Sequence, residues 1–279
     1  MFVEFNEALS CFELSTKAGA SALVSMHGGH LLSWKPSRCQ EEQLYLSKKA
    51  VMDGTSAIRG GVPVLFPHFG AQNNSPNHGF ARLLKWKYIS DVQTEAGHVL
   101  NLGLSANDET RRFWPHDFQL RLSIGLSDAS ILLSYDLTNR GKTSFDFSGG
   151  LHTYFATNDV YKTHLQGLKG CKYIETGRHF EEDNDLIEIR GEIDRIYLNG
   201  EQSRPLVLES PGRRVEIGFS GFNETVVWNP WIEGAVNIND MSDGDYLKMI
   251  CVESVIAAGK IELEPKESWS GTQLLKSNY

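Results

Sequence analysis

Cysteines are scarce in this sequence, and no two of them lie close together. The four are Cys11, Cys39, Cys171 and Cys251, with no C-x-x-C pair and no zinc-type Cys/His spacing. This usage disfavours a disulfide scaffold or a structural metal site and is typical of a protein in a reducing compartment. We therefore expect no metal or other cofactor and a cytoplasmic location.

Long apolar runs and basic tracts are also missing. No apolar stretch reaches the roughly 20 residues that a membrane-spanning helix needs, and the amino terminus lacks the pattern of a signal peptide. The net charge is −8, with Lys and Arg spread along the chain. A nucleic-acid partner would require a basic face, so neither a membrane nor a nucleic acid is expected as a partner. An anionic ligand would need a local group of arginines.

Short apolar or alternating runs recur along all 279 residues. Examples are SALVSMH, HLLSW, LRLSIGLS, ILLSYDLTN, RVEIGFS and ETVVWN, with turn sequences such as NRGKT and SPGRR between them. This pattern predicts an antiparallel all-β protein. One helical turn is expected in SANDETRRFWPH, with Ser105 or Asn107 as its cap and Pro115 at its end. Without a linker or a repeat, the sequence predicts a single domain, 1–279, of two large packed sheets.

Two ionisable residues interrupt runs that otherwise look like buried strands. In LKMICVESVI (247–256), a period of two places Glu253 on an apolar face with Met249 and Cys251. A carboxyl group there needs partners, or desolvation raises its pKa. His152 interrupts GGLHTYF (149–155) in the same way, although a hydrogen-bonded core histidine also fits. An acid and a base that met across one sheet face would suit proton transfer on a small substrate.

Two further segments carry arginines beside glycines. Arg59 precedes two glycines in AIRGGVPVLFPHFG (57–70), and NHGFARLLKW (77–86) places His78 four residues before Arg82. If the arginines converge, their planar guanidinium groups can grip an anion. The alternatives are a surface arginine beside an ordinary turn and a pair between Arg82 and a carboxylate.

Two more segments offer candidate ligand contacts. In EIDRIYLNG (192–200), Asp194 and Arg195 are consecutive and point to opposite faces of a strand, so one of them can face inward. A plain charge pair at a strand end is the alternative. Trp228 and Trp231 in VVWNPWIEG (226–234) have flat faces that can stack on sugar carbons. Core packing is the alternative for each of them and the better account of at least one.

Six of these segments occur in the order and spacing of a known family. SAIRGGVPVLFPHFG, HGFARLLKW, LHTYF, DRIYLN, VVWNPW and MICVES resemble the glucose-6-phosphate 1-epimerases, the hexose-6-phosphate mutarotases of the aldose 1-epimerase superfamily. The resemblance implies an all-β, galactose-mutarotase-like β-supersandwich of two large, mostly antiparallel sheets. It also implies a site on a concave sheet face that interconverts the α and β anomers of hexose 6-phosphates, above all glucose 6-phosphate.

The resemblance further implies residue roles. His152 is the general acid and Glu253 the general base, and the substrate contacts are Arg59, Asn77, His78, Arg82, Asp194 and Trp228. Asn77 stands where the family commonly has glutamine, which is one methylene longer. The segment GAVNINDMSDGDY (234–246) departs from the family pattern, so no contact is carried over from it. The implied partner is the sugar phosphate, with the chain a monomer or a weak homodimer.

Other functions fit parts of the same pattern. An aldose 1-epimerase acting on free hexoses would use the same acid and base but would have no use for paired arginines. A noncatalytic domain that binds or senses sugar phosphates would not need both His152 and Glu253. A glycoside hydrolase could use Asp194 and Glu253 as paired carboxylates, but it would leave the histidine idle.

Overall fold

The computed structural model describes residues 2–7, 9–72, 75–94, 97–200 and 205–278. In chain order the strands are β1 (Phe2–Asn6), β2 (Cys11–Ser15), β3 (Ser21–Ser25), β4 (His30–Lys35), β5 (Val64–Leu65), β6 (Lys87–Gln93), β7 (His98–Ser105), β8 (Phe118–Leu126), β9 (Ser130–Asn139), β10 (Phe145–Leu151), β11 (Tyr154–Ala156), β12 (His164–Gln166), β13 (Lys172–Glu175), β14 (Arg178–Glu181), β15 (Leu186–Glu188), β16 (Ile193–Tyr197), β17 (Leu206–Ser210), β18 (Arg213–Ser220), β19 (Glu224–Asn229), β20 (Met249–Leu263) and β21 (Ser268–Ser277). Two short helices, α1 (Asp108–Phe113) and α2 (Trp231–Val236), also fall within the described residues.

The described strands form three antiparallel sheets. One has nine strands in the order β15-β12-β17-β18-β21-β9-β8-β7-β6. Another has eight, in the order β14-β13-β16-β19-β20-β10-β5, with β11 also paired to β20. The prediction of an all-β fold with two large sheets is confirmed. The third sheet, β1-β2-β3-β4, was not predicted, because a strand pattern does not say which strands pair.

A single hydrophobic cluster draws residues from all three sheets. Leu102, Leu122 and Leu133 of the nine-stranded sheet pack with Val227 and Val252 of the eight-stranded sheet. The four-stranded sheet contributes further residues to the cluster, Phe12, Val24 and Trp34 among them. The hydrophobic core thus covers one face of the eight-stranded sheet, and the other face is available for a binding site.

Both helices are short, and α1 begins with a capping box. The Asn107 side chain accepts a hydrogen bond from Thr110 N, and the Thr110 hydroxyl accepts one from Asn107 N, each at 2.9 Å. Asn107 rather than Ser105 is therefore the cap of α1, and the helix ends before Pro115, as predicted. Helix α2 was not predicted; the Asn229 side chain accepts from Trp231 N at 2.9 Å as it begins. No helix among the described residues is long and apolar enough to cross a membrane.

Strand β20 is buried on both faces over its first eight residues, 249–256. Ile250, Val252 and Ile256 join the main core, whereas Met249 and Cys251 belong to a second cluster on the opposite face. Glu253 lies on this second face. The prediction that both faces of the strand are apolar is confirmed.

The run GGLHTYF is two strands rather than one. Strand β10 ends at Leu151 and β11 begins at Tyr154, and both pair with β20. At the break, His152 N donates to Pro63 O at 3.0 Å, and Thr153 O accepts from Val252 N at 3.1 Å. The expectation of one continuous strand is wrong here, because these two backbone bonds interrupt the regular hydrogen-bond pattern between neighbouring strands.

Buried polar groups join the two large sheets beneath this break. The Thr153 hydroxyl donates to Gln273 Oε1 at 2.6 Å, and Gln273 Nε2 donates to Ser254 Oγ at 2.9 Å. All three side chains are buried. Since a buried amide requires its partners, this small network fixes β10, β20 and β21 relative to one another.

Glycine is required where β10 meets β20. Gly150 has φ 149°, and a Cβ built on it would lie 2.3 Å from Ser254 O. Both the backbone angle and the close approach exclude a side chain.

We expect Gly150→Ala to lower the free energy of unfolding by about 3 kcal/mol or more, because it combines backbone strain with overlap on a neighbouring carbonyl. Urea denaturation measures the change. Gly259→Ala is the matched control, since Gly259 lies on β20 with an ordinary φ and open space around it. Equal stability of the two variants would contradict the prediction.

Candidate active site

A cavity of about 430 Å³ opens on the uncovered face of the eight-stranded sheet. Its floor comes from alternate residues of neighbouring strands: Asp194 and Ile196 of β16, Val226 and Trp228 of β19, and Glu253 of β20. The register places Asp194 opposite Trp228 and Val226 opposite Glu253. A strand period of two therefore brings these side chains together.

Every residue to which the family resemblance gave a role lines this cavity. The eight are Arg59, Asn77, His78, Arg82, His152, Asp194, Trp228 and Glu253. Asp194, Trp228 and Glu253 lie on strands, and His152 lies at the break between β10 and β11. The other four come from the chain between β4 and β6. The structure thus joins loop residues to the face of a sheet whose strands lie far away in the sequence.

His152 and Glu253 face each other in the interior of the cavity. His152 Nε2 lies 3.3 Å from Glu253 Oε1, and the two residues are only 7% and 2% exposed. The other polar atoms of the pair, His152 Nδ1 and Glu253 Oε2, are buried and have no hydrogen-bond partner within the described part of the chain. A ligand with hydroxyl groups could supply the missing partners.

Burial is the largest cause of the pKa shifts of this pair. It lowers the pKa of His152 well below its usual value, and His78, Arg82 and Arg59 lower it further. Burial also raises the pKa of Glu253 well above its usual value, with Asp194 adding to the rise and Arg82 opposing it. Burial thus favours the neutral imidazole and the protonated carboxyl group. An imidazolium–carboxylate pair holds the same number of protons, so transfer of one proton interconverts the two states.

Tyr154 packs directly on His152. The two rings stack at 4.7 Å with planes 9° apart, and Trp228 approaches both edge-on at about 6 Å. These contacts limit rotation of the imidazole. Trp231 instead packs against Tyr161 and Tyr246 and is not among the residues that line the cavity.

The two arginines of the cavity have different partners. Arg59 Nε donates to Asp240 Oδ1 at 3.0 Å, and Arg59 Nη1 donates to the Tyr154 hydroxyl at 2.9 Å. Arg82 Nη2 donates to the carbonyl of Asn77 at 2.8 Å, but Arg82 Nε is buried without a partner. No carboxylate among the described residues forms an ion pair with Arg82. A half-buried cation without an ion-pair partner is a ready site for an anionic group.

His78 is held as a neutral donor. Its Nδ1 accepts a hydrogen bond from Gly70 N at 3.1 Å, which places the proton of the neutral ring on Nε2. Burial, followed by the nearby Arg82, lowers the pKa of His78 to about 3. The backbone of His78 has φ 60°, an uncommon conformation for a residue with a side chain. Strained backbone of this kind is found at functional sites when the surrounding structure holds it in place.

Asp194 and Arg195 separate as consecutive strand residues must. Asp194 lies at the solvent-accessible edge of the cavity, and burial followed by Glu192 and Glu175 raises its pKa. Arg195 forms ion pairs with Glu175 and Glu182 at 3.0 and 3.1 Å. Asp194 is therefore the member of the pair that a ligand can reach.

Sequence reasoning missed several residues of the cavity. Tyr154, Phe69 and Ile238 line it, and Asp240 lies behind Arg59. Tyr154 lies two residues after His152, so the strand period of two could have placed both side chains on the same face. Asp240 belongs to the segment that departs from the family pattern, so its contact with Arg59 needed the structure. No group of three His, Cys, Asp or Glu side chains in the described ranges could hold a metal ion.

Comparisons with known proteins agree with this geometry. A relative from Escherichia coli named "Putative glucose-6-phosphate 1-epimerase" is 35% identical over 242 residues, 85% of this chain and 80% of the relative. A relative of the same name from Cenchrus ciliaris is 32% identical over 261 residues, 90% of this chain and 79% of the relative.

Solved structures share the fold. A crystal structure from Salmonella typhimurium, described as a "putative mutarotase", superposes with a TM-score of 0.87 at 28% identity and covers 96% of this chain and 90% of its own. A Synechocystis structure at 23% identity has a TM-score of 0.81 and covers 96% and 95% of the two chains. The galactose-mutarotase-like fold predicted from the sequence is confirmed.

The model of the aldose 1-epimerase family matches residues 10–276, almost the whole chain. The resemblance drawn from six short segments is therefore confirmed, and with it the expectation of an epimerase. This chain belongs to the aldose 1-epimerase family.

Proposed function

We propose that this protein interconverts the α and β anomers of hexose 6-phosphates, with glucose 6-phosphate the preferred substrate, and that residues 1–279 act as one domain. The observation that carries the proposal is a buried histidine–glutamate pair in a cavity that also holds an unpaired arginine. The names of two curated relatives support the phosphorylated substrate. The core shared by all three sheets supports a single domain.

The reaction needs one base and one acid. Glu253, as the carboxylate, takes the proton from the anomeric hydroxyl, while His152, as the imidazolium, gives a proton to the ring oxygen. The bond between C1 and the ring oxygen breaks, and C1 becomes an aldehyde. Rotation about the C1–C2 bond and closure on the other face of the aldehyde give the second anomer, with the two proton transfers reversed.

The protonation states of the pair fit this cycle. Ring opening leaves His152 neutral and Glu253 protonated, and burial favours these two protonation states. The reactive ionised pair arises when one proton passes from Glu253 to His152 across 3.3 Å. A phosphate group bound at the arginines offsets positive charge that lowers the pKa of His152 and, through Arg82, that of Glu253. It therefore favours the imidazolium and makes the Glu253 carboxylate a stronger base.

The remaining residues of the cavity bind the sugar phosphate. Arg82 receives the phosphate, and Asp194 accepts hydrogen bonds from sugar hydroxyls at the open edge. His78 donates from Nε2, Asn77 borders the phosphate side, and Trp228 offers a flat face to the ring carbons.

We expect His152→Ala and Glu253→Gln each to lower the rate of anomer exchange by about 10²- to 10⁴-fold, the usual contribution of a positioned acid or base. Two-dimensional exchange NMR on glucose 6-phosphate measures the rate above the spontaneous background, and circular dichroism checks the fold. Free glucose is run in parallel. Exchange of both sugars at similar rates would favour an epimerase of free hexoses.

A matched control exists within the same chain. His164 Nε2 and Glu209 Oε2 lie 3.1 Å apart on β12 and β17, and both side chains are partly exposed. His164→Ala and Glu209→Gln should leave exchange unchanged. Full activity in His152→Ala or in Glu253→Gln would overturn the mechanism, and a folded wild-type protein without exchange would leave a noncatalytic binding domain.

We also expect His78 to remain neutral at pH 5, with its proton on Nε2, because its pKa is lowered to about 3. Long-range ¹H–¹⁵N correlation spectra distinguish this tautomer from the imidazolium, and His78→Asn identifies the signal. The urea-unfolded protein at the same pH is the control, since an unfolded histidine is mostly protonated there. An imidazolium signal from His78 in the folded protein at pH 5 would contradict the assignment.

A further inference from the structure

The acid and the base of the proposed reaction are each followed by a buried residue with a hydroxyl group. The residue after His152 is Thr153, and the residue after Glu253 is Ser254. Consecutive strand residues point to opposite faces of a sheet, so the hydroxyl groups face away from the cavity. Thr153 and Ser254 are both buried, and neither is among the residues that line the cavity. The two hydroxyl groups therefore lie in the core, directly behind the pair.

The strand register places His152 opposite Glu253 across the break between β10 and β11. Before the break, Leu151 pairs with Ser254 on β20. After the break, Tyr154 lies three residues further along, and its partner lies three residues back along β20. The register is thus the same on both sides of the break. His152 and Glu253 face each other although the regular pairing is interrupted there.

One amide group from the nine-stranded sheet bridges the two hydroxyl groups. Gln273, on β21, accepts from the Thr153 hydroxyl at 2.6 Å through Oε1 and donates to the Ser254 hydroxyl at 2.9 Å through Nε2. Gln273 is fully buried, and both polar atoms of its side chain have partners within the described residues. The amide group is planar, and its two ends are bonded to different segments of the chain. It therefore sets the separation of Thr153 and Ser254.

The pair itself receives little support from the cavity side. His152 Nδ1 and Glu253 Oε2 have no hydrogen-bond partner in the part of the chain that the structure describes. The ring of Tyr154 stacks on the imidazole and limits its rotation, but it does not set the distance to Glu253. That distance therefore depends on the backbone that carries the two side chains.

Stability alone does not require polar groups behind the pair. Leu151, Val252 and Ile256 surround the two hydroxyl groups on the same face of the sheet and belong to the main core. Apolar residues of the same shape can replace both partners of a buried hydrogen bond at little cost in stability. A fully bonded polar network instead selects one arrangement of the segments that it joins. The bridge at Gln273 thus points to a role in geometry.

We propose, on the basis of the function proposed above, that Gln273 is a positioning residue that sets the distance between the acid and the base. Its amide group holds Thr153 and Ser254 at a fixed separation, and the backbone transmits that separation to the residue before each of them. Gln273 is not among the residues that line the cavity, so it acts on the reaction only through these two neighbours.

The test compares Gln273→Leu, Thr153→Val and Thr153→Ser with the wild type. A fourth variant, Thr153→Val/Ser254→Ala/Gln273→Leu, replaces the whole bridge by apolar groups. Exchange NMR gives kcat and KM for glucose 6-phosphate, and urea denaturation gives the free energy of unfolding. A crystal structure of each variant gives the distance between His152 Nε2 and Glu253 Oε1.

We expect Gln273→Leu to lower kcat by about tenfold or more with KM changed less than about twofold, because a small displacement of acid from base slows proton transfer while the ligand contacts remain. Thr153→Val keeps the shape without the hydroxyl group and should show a similar loss. Thr153→Ser keeps the hydroxyl group and should restore most of kcat. In Gln273→Leu and Thr153→Val the distance from His152 Nε2 to Glu253 Oε1 should change by about 0.5 Å or more. In Thr153→Ser it should stay near 3.3 Å.

Asn139 supplies a matched control. It is a second fully buried amide that links the nine-stranded sheet to β20, and its Nδ2 donates to the carbonyl of Leu263 at 2.9 Å, ten residues beyond Glu253. Asn139→Leu should lower the free energy of unfolding to a degree comparable with Gln273→Leu but leave kcat at the wild-type value. The triple variant should unfold near the wild-type urea concentration and still have the low kcat. The two comparisons separate position from stability.

Three results would overturn the proposal. One is wild-type kcat in Gln273→Leu or in the triple variant. Another is an equal loss of kcat in Asn139→Leu, since activity would then follow stability. The third is equal kcat in Thr153→Ser and Thr153→Val, and these two variants decide the question if Gln273→Leu does not fold.

Failure of the proposed function looks different from failure of this inference. A folded wild-type protein that does not exchange the anomers of glucose 6-phosphate refutes the reaction on this substrate. The crystallographic distance still tests the positioning role in that case. A changed distance from His152 Nε2 to Glu253 Oε1 in Gln273→Leu, with the wild-type distance kept in Asn139→Leu, supports the role. An unchanged distance in both Gln273→Leu and Thr153→Val overturns it.

Discussion

The carboxyl group of Glu253 is buried on a strand that is apolar on both faces, and much of the structure depends on how that burial is tolerated. The group lies 3.3 Å from an equally buried imidazole, and one of its oxygens has no partner in the described chain. Desolvation keeps both groups neutral, since a separated charge at this depth would be far more costly. Burial therefore favours the neutral pair over the ionised one.

The two arginines of the cavity act on this pair from the loops. Arg59 and Arg82 both lower the pKa of His152, and Arg82 also lowers that of Glu253. Arg59 forms an ion pair with Asp240, whereas Arg82 Nη2 donates to the carbonyl of Asn77. An anionic group at these arginines would raise the pKa of both His152 and Glu253, so it would favour the imidazolium and make the carboxylate a stronger base.

The sequence was sufficient for the fold class and for eight of the residues that line the cavity, but not for the contacts between them. Period-two patterns placed Glu253 on an apolar face and put Asp194 and Arg195 on opposite faces, because strand geometry is local. The break at His152 could not be predicted, since it depends on backbone bonds to Pro63 and Val252. The sequence could not predict the ion pair between Arg59 and Asp240 either, because it joins two loops through Ser47 and loops have no periodic sequence pattern.

The separation between sheet and loop residues also explains how this scaffold can vary. The polar link Thr153–Gln273–Ser254 passes beneath the His152–Glu253 pair and ties it to the opposite sheet. A slip of either sheet by one residue would leave the buried amide of Gln273 without its partners, so the register of the two sheets holds the two side chains in place. Under the proposed function, changes in the loops that carry Arg59, Arg82 and Asp240 can thus alter which sugar binds while the acid and the base keep their positions. Selection can therefore act on substrate choice and on chemistry as two nearly independent traits.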